Sequence, residues 1–450
     1  MSEWKKVKIG DFLTESKVLA EESDAAHRIT VRLNCKGVEK RGLKAEKEGA
    51  TKYYTRYAGQ FIYGKQNIHK GAFGIIPSEL DGYTSSADLP AFDIDESKCV
   101  PEWIPLSLKV DERYKTLQKE VKGVGSQRLA VNVFLNVEIP LPEVSIQREI
   151  LAKVGKKITS IALLDDEIEK QNIYVKQLRQ NILQEAIEGK LTEEWRKENP
   201  VVKGNPNFDA EALFEKIQEE KCHTDSELLR NSKKKKVFEP IAENEQPFEI
   251  PEGWKWVRLG EIVENITSGS REWARYYSDT GAIFLRMGNL SRESYVLRLD
   301  NIQHVRVPES SEGKRTRLLP FDLLFSITAE IGNLGLIPKD FPEAYINQHT
   351  ARIRFAQLVK QSLYFANALL APGIRKLYLP NAHGMKNSFR LDTLSFIPIP
   401  LPPLAEQKEI VSRVEKLLAN VTELEKQITE REEMTKQLMQ SIMKDAFKEV

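Results

Sequence analysis

One stretch of this chain is written twice. Ile139-Pro140-Leu141-Pro142 returns as Ile399-Pro400-Leu401-Pro402, an offset of 260 (399 − 139), and beyond it the two copies run without a gap. Gln147 aligns with Gln407, Glu149 with Glu409, Val154 with Val414 and Ile168 with Ile428. Lys176-Gln177-Leu178 aligns with Lys436-Gln437-Leu438, and Ala186 with Ala446. Upstream, Trp4-Lys5-Lys6-Val7-Lys8-Ile9-Gly10-Asp11 aligns with Trp254-Lys255-Trp256-Val257-Arg258-Leu259-Gly260-Glu261 at an offset of 250. The chain is therefore a head-and-tail unit repeated, with frames that agree and heads that differ. At 450 residues it is also longer than one hydrophobic core usually organises.

Both tails predict long helices. In the first, Ile150, Val154, Ile161, Leu164, Ile168, Val175, Leu178 and Ile182 follow a 3-4 spacing, with Lys157 and Gln171 as polar gaps. In the second, Ile410, Val414, Leu417, Val421, Leu424, Ile428, Leu438 and Ile442 keep that register. This is the a/d pattern of a coiled-coil seam, and some 45 residues make a rod of roughly 65 to 70 Å. A helix packed on a globular core would also show such a stripe, but two equal seams in one chain are natural partners. The prolines before each tail stop a strand and let a helix begin, and Gly189 suits a helix end.

The resulting division is a first head at 1–143, a helical spacer at 144–199, a linker at 200–250, a second head at 251–403 and a second spacer at 404–450. In the linker, Pro200 and Pro206 punctuate the chain, a short acidic helix is expected over Ala210 to Glu220, and Lys233 to Lys236 form a basic run. The heads read as mixed α/β. Gln60 to Tyr63 and Phe73 to Ile76 predict strands around the loop Gly64 to Gly71, and Leu323 to Ile327 with Ile331 to Ile337 predict the parallel passage.

Charge nearly cancels, at 67 Lys+Arg against 66 Asp+Glu. Split by segment, 251–403 carries 19 basic and 14 acidic residues, whereas 144–250 carries 18 and 21. The second head is basic and the tails are acidic. Cys35, Cys99 and Cys222 lack CxxC spacing, which supports neither a disulfide framework nor a zinc ribbon. No apolar run reaches the length of a membrane helix, and MSEWKKVKIG lacks a signal peptide's apolar region, so a cytoplasmic location is expected.

Catalytic signatures are missing. There is no GxxxxGK[ST] loop, no HExxH, no GxSxG, and no Asn-Pro-Pro-aromatic or Asp-Pro-Pro-aromatic stretch. The heads offer instead polar loops beside aromatics, and Arg, Asn and Gln are the side chains that read base edges. In the first head the candidates are Lys36, Lys40, Arg41, Lys44, Lys52, Tyr53, Arg56, Lys65, Gln66, Ser85, Ser86 and Arg128. In the second they are Ser268, Ser270, Arg271, Arg275, Arg286, Asn289, Asn347, Gln348, His349, Asn381, His383 and Lys386. Ordinary turn chemistry explains any one of them more simply, except Asn347 and Gln348, for which the two readings balance because they fall between two apolar strand-like stretches. A coiled-coil scaffold with two ligand-binding heads and no DNA role is the alternative reading, and an enzyme with an unrecognised motif is a third.

The doubled IPLP start with its Gln-[Lys/Arg]-Glu-Ile helix resembles the specificity subunit of Type I restriction–modification systems. So do Glu188-Gly189-Lys190-Leu191-Thr192-Glu193-Glu194-Trp195-Arg196 and Pro251-Glu252-Gly253-Trp254-Lys255-Trp256-Val257-Arg258-Leu259-Gly260. The resemblance implies an α+β fold: two mixed α/β target recognition domains and two long helices packed as an antiparallel coiled coil, in a pseudo-two-fold repeat. It further implies that each head reads one half of a split site on double-stranded DNA, with the helices setting the spacer. The expected partners are two methyltransferase subunits and optionally two restriction (motor–nuclease) subunits. Those would hold S-adenosylmethionine, ATP and Mg, leaving this chain without cofactor, metal or catalytic residues.

Overall fold

The computed structural model describes residues 4–21, 24–42, 52–121, 128–228, 238–269, 271, 273–307, 316–379 and 390–448. The chain forms two compact units, Met1–Gln171 with Gln427–Val450, and Asn172–Lys426.

The first unit contains β1 (Lys6–Lys8), β2 (Leu13–Ser16), β3 (Ile29–Val31), β4 (Val38–Lys40) and β5 (Tyr53–Thr55). These are followed by β6 (Phe61–Tyr63), β7 (Phe73–Ile75), β8 (Thr84–Ser86) and β9 (Ala91–Ile94). Short helices α1 (Trp103–Lys109), α2 (Arg113–Thr116) and α3 (Val131–Leu135) precede β10 (Glu138–Pro140) and the long α4 (Val144–Ile187). An antiparallel sheet in the order β2-β9-β6-β7 carries the core. Phe61, Phe92 and Phe134 are fully buried, and the Phe134 ring lies 5.5 Å from Phe61 and 4.5 Å from Tyr63.

The two repeated motifs lie side by side. β1 pairs antiparallel with β10, Val7 opposite Ile139, so the first strand of the head is zipped to the Ile-Pro-Leu-Pro strand that launches α4. Three residues later the chain turns into helix, as prolines that cannot donate to a ladder require. The repeated glutamine fastens this junction. Gln147 donates from Nε2 to the carbonyls of Pro142 (2.8 Å) and Lys98 (2.9 Å), while its Oε1 accepts from the Val100 amide (2.8 Å).

In the second unit α5 (Glu193–Glu198) and α6 (Ala210–Leu228) lead to β11 (Lys255–Arg258) and β12 (Val263–Ser268). Then come β13 (Tyr277–Ser278), β14 (Ala282–Leu285), β15 (Gln303–Val305), β16 (Leu323–Ser326) and β17 (Leu334–Leu336). β18 (Ala344–Ile346), β19 (Thr350–Phe355), α7 (Tyr364–Leu370), α8 (Pro372–Tyr378), α9 (Leu391–Ser395), β20 (Pro398–Leu401) and α10 (Leu404–Lys448) complete it. The sheet β12-β19-β16-β17 repeats the topology of β2-β9-β6-β7, and β11 pairs with β20 as β1 does with β10, Val257 opposite Ile399. The second unit adds a second sheet, β13-β15-β14-β18, whereas among the described residues the first unit has the two-stranded pairs β3-β4 and β5-β8. Here the two heads diverge.

Two expectations change. Residues 200–228 are folded onto the second unit. Leu213 and Ile217 are fully buried, Lys221 Nζ donates to the Gly260 carbonyl (2.8 Å), and the helix runs to Leu228, past the expected Glu220. Lys233 to Lys236 lie outside the described residues. The seam also differs. Gln147, Val154, Ile161, Ile168, Val175 and Ile182 are buried on α4, as are Gln407, Val414, Val421, Ile428 and Thr435 on α10. That is one row every seven residues, in the same register in both copies. Ile150 and Ile410 are buried inside the heads' own junctions, but Leu164, Leu178, Leu424 and Leu438 are 49%, 42%, 42% and 48% exposed. Leu417 and Ile442 are half-buried. A row pointing straight at the neighbouring helix turns the row three residues on by roughly 50°, enough to expose its leucines.

Within each unit the helices run antiparallel. In the first, Arg431 donates to Gln171 (3.3 Å) while Met443 shares a cluster with Ile150 and Val154. In the second, Arg179 pairs with Glu425 (3.0 Å) and Arg413 donates to the Leu191 carbonyl (2.6 Å). Gln171 and Arg431 are themselves repeat equivalents.

Candidate nucleic-acid interface

In the second unit the turn from β18 into β19 gathers several candidates. Asn347 Oδ1 accepts the amide of His349 (3.0 Å), an Asx turn that reverses the chain after the buried strand Ala344–Ile346. The His349 ring is held at both nitrogens, Nδ1 2.9 Å from Thr328 Oγ1 and Nε2 2.9 Å from Gln348 Nε2. Gly269 lets the preceding loop reach this turn. A Cβ there would sit 2.1 Å from the Ile346 carbonyl oxygen, so the chain leaving β12 approaches Ile346 and Asn347 only through a residue without a side chain. Arg271 and Arg275 are exposed, and the Arg275 guanidinium lies 4.9 Å over the Tyr276 ring.

Asn289 does not belong with them. It is 4% exposed, its Oδ1 accepts the Arg286 amide (2.9 Å) and its Nδ2 donates to the Arg298 (2.8 Å) and Asn301 (3.1 Å) carbonyls. Its amide pins a turn and has nothing left for a base. Arg286 beside it is half-buried. Ser270, Asn381, His383 and Lys386 lie outside the described residues, as does Lys44.

In the first unit the structure sorts the candidates by what they already hold. Ser85 is 2% exposed and accepts from Arg56 Nε (2.7 Å), so it is a structural hydroxyl. Arg56, equally buried, donates also to the Ser16 (2.9 Å) and Leu89 (3.1 Å) carbonyls, and burial pulls its pKa down to about 10. Lys36 reaches Glu169 on α4 (2.5 Å), and the Tyr53 ring is covered by the Arg28 guanidinium at 4.1 Å. Arg41, Lys52 and Gln66 are exposed, and Ser86 is half-buried. Arg128 grips Asp88 with two nitrogens, at 3.0 and 3.2 Å.

What residue spacing did not reveal is a cleft of about 520 Å³ that brings Lys65 and Arg128 together with Arg56, Lys17 and Tyr54. Lys17 carries Glu15 at 2.8 Å, whose hydrogen bond raises the Lys17 pKa. No sequence signal links residues 17, 56, 65 and 128, since sheet pairing alone assembles them. Among the described residues, no cluster of three or more His, Cys, Asp or Glu could hold a metal ion, and no helix is long and apolar enough to cross a membrane.

A family model for the Type I restriction modification DNA specificity domain matches residues 251–433. The EcoAI specificity subunit of Escherichia coli is 28% identical over 262 residues, covering 55% of this chain and 40% of that protein. The EcoKI specificity subunit of E. coli strain K12 is 26% identical over 324 residues, 69% of this chain and 57% of that one. For both, the chain spans less than two thirds of the relative's length. The MjaVIII specificity subunit of Methanocaldococcus jannaschii is 24% identical over 347 residues, 75% and 68% of the two chains. A solved chain from work on complex assembly and conformational transition of the type I R-M system shares the fold. It has a TM-score of 0.55 and 17% identity over 100% of this chain and 98% of that one. Over residues 251–433 the chain is thus similar to the DNA specificity domain of Type I restriction–modification systems, and as a whole it shares the fold of the solved chain.

Proposed function

We propose that this chain selects DNA sequence for a Type I restriction–modification complex and performs no catalysis itself. Each head reads one half of a bipartite duplex target, phosphate contacts positioning it and base-edge contacts specifying. In the second head the reading group is Ser268, Arg271, Asn347 and Gln348, with His349 orienting the Gln348 amide. In the first it is the exposed cations Arg41 and Lys52 with Lys65, Gln66 and Arg128. The long helices set the spacer and dock two methyltransferase subunits, with restriction subunits joining where present. S-adenosylmethionine, ATP and Mg belong to those partners.

The observation that carries this reading is the doubled junction, Val7 against Ile139 and Val257 against Ile399, each delivering the chain into a helix of the same register. A device that presents two variable heads on an invariant frame suits a two-part target. Inserting one heptad into each long helix should lengthen the spacer of the methylated motif and leave both half-sites unchanged. Methylome sequencing reads this directly, and an unaltered spacer overturns the proposal. Replacing residues 251–403 by another subunit's head should change one half-site only.

A further inference from the structure

The cleft in the first unit carries more positive charge than its own carboxylates balance. Arg56 forms its floor, 2% exposed, and spends its hydrogen bonds on neutral acceptors: the Ser85 hydroxyl and the carbonyls of Ser16 and Leu89. A pKa near 10 leaves it charged at neutral pH. Among the described residues no carboxylate touches it. The Glu15 and Asp93 carboxylates act on this buried cation only through space, and an anion arriving in the cleft adds a direct partner. Above it stands Lys65, half-buried, whose ammonium has no hydrogen-bond or ion-pair partner among the described residues.

Lys17 and Arg128 complete the rim. Their pairs with Glu15 and Asp88 are reachable by water, the Arg128 and Asp88 side chains being 46% and 48% exposed. Pairs so exposed to water are weak and can be exchanged for a ligand anion. Tyr54 lies on the same wall, its ring 5.3 Å from the Arg56 guanidinium, and offers an aromatic face. At about 520 Å³ the space is in the range of sites for organic ligands and much larger than a bare phosphate fills.

We propose that this cleft binds one phosphate-bearing nucleotide, the phosphate between Lys65 and Arg128 above Arg56 and the base against Tyr54. The inference shares Lys65 and Arg128 with the DNA reading and goes beyond it by placing a single nucleotide in this cleft, either a unit of a DNA strand or a free mononucleotide.

The test titrates the whole protein with deoxynucleoside 5′-monophosphates and the matching nucleosides by calorimetry. Monophosphates should bind at least about tenfold more tightly than nucleosides, as a charge-assisted contact to phosphate requires. Lys65→Gln should weaken them at least about fivefold while the exposed Lys119→Gln, outside the cleft, leaves them unchanged. Unaltered melting of Lys65→Gln shows that the loss is not misfolding. Equal binding of nucleosides, no binding of any monophosphate, or no effect of Lys65→Gln overturns the proposal. Competition separates the sources: displacement of the bound monophosphate by duplex DNA places a DNA unit in the cleft, and joint binding places a free nucleotide there. A chain that binds monophosphates but no DNA would sink the specificity reading and keep this one.

Discussion

Both units close with the same strand pairing, yet different chemistry fills the closure. In the first, Trp103 Nε1 donates to the Pro140 carbonyl at 3.0 Å; in the second, Tyr364 OH donates to the equivalent Pro400 carbonyl at 3.0 Å. On this pillar rests the repeated tryptophan, Trp4 at 5.7 Å from Trp103 and Trp254 at 6.2 Å from Tyr364. The third member differs most. Phe447 completes an aromatic triad in the first unit, 5.3 Å from Trp4 and 5.0 Å from Trp103. In the second unit the 2% exposed Glu406 accepts from Trp254 Nε1 (2.7 Å), Thr192 Oγ1 (2.7 Å) and Arg196 Nη1 (2.6 Å). The repeat position of Glu406 in the first unit is Ile146. Duplication has kept the backbone register and the proline carbonyl's donor while one closure is apolar and the other a buried polar knot.

Removing the knot should have the largest effect. Glu406→Ala leaves Arg196 and the Trp254 indole without their acceptor in a buried site, a loss of about 3 to 5 kcal/mol. Hydrogen exchange should show it as lost protection in Lys255–Arg258 and Pro398–Leu401, with Lys6–Lys8 and Glu138–Pro140 unaffected. Equal loss in both junctions would break the comparison. Phe447→Ala should do the converse at about 2 kcal/mol, because a half-buried ring forfeits part of a full burial. The conserved fastener sharpens the contrast further. The Gln147 side chain makes three hydrogen bonds, whereas among the described residues that of Gln407 has one, to the Pro402 carbonyl (2.8 Å), and its buried Oε1 has no partner there. Gln147→Leu should therefore cost about 2 kcal/mol and Gln407→Leu less than about 1 kcal/mol, read as urea midpoints at constant slope.

The frame was legible because its signals are local. Proline cannot donate to a ladder, heptad spacing follows helix geometry, and both recur at a fixed offset, so Val144 and Leu404 emerge as helix starts from pattern alone. The candidate site was legible only as residue types. Asn289, Ser85 and Arg56 have the right chemistry for reading DNA but spend it on backbone and side-chain partners that lie far away in sequence. Spacing cannot show who holds a polar atom. Gly269 is the opposite case: its need for close approach to Ile346 identifies a loop junction that no motif marked. The stretch 200–228 looked like a connector because its prolines and charges are linker-like, although Leu213 and Ile217 supply a buried face.

The smallest predicted effect bears on the helices, where the two copies agree. A heptad pattern cannot tell which of its two apolar rows faces the neighbour, and here only one does. Ile161 is 3% exposed and its repeat partner Val421 1%, while Leu164 and Leu424, three residues on, are 49% and 42% exposed. Ile161→Ala should then cost about 2 to 3 kcal/mol through the cavity it leaves. Leu164→Gln should change the stability of the isolated chain by less than about 0.5 kcal/mol, the usual scale of a surface substitution. Equal losses would restore a two-row seam. If Leu164→Gln and Leu424→Gln leave the isolated chain's unfolding unchanged but lower methylation of an intact complex, these leucines serve a partner. The shared register of the copies would then preserve a docking row as well as a packing row.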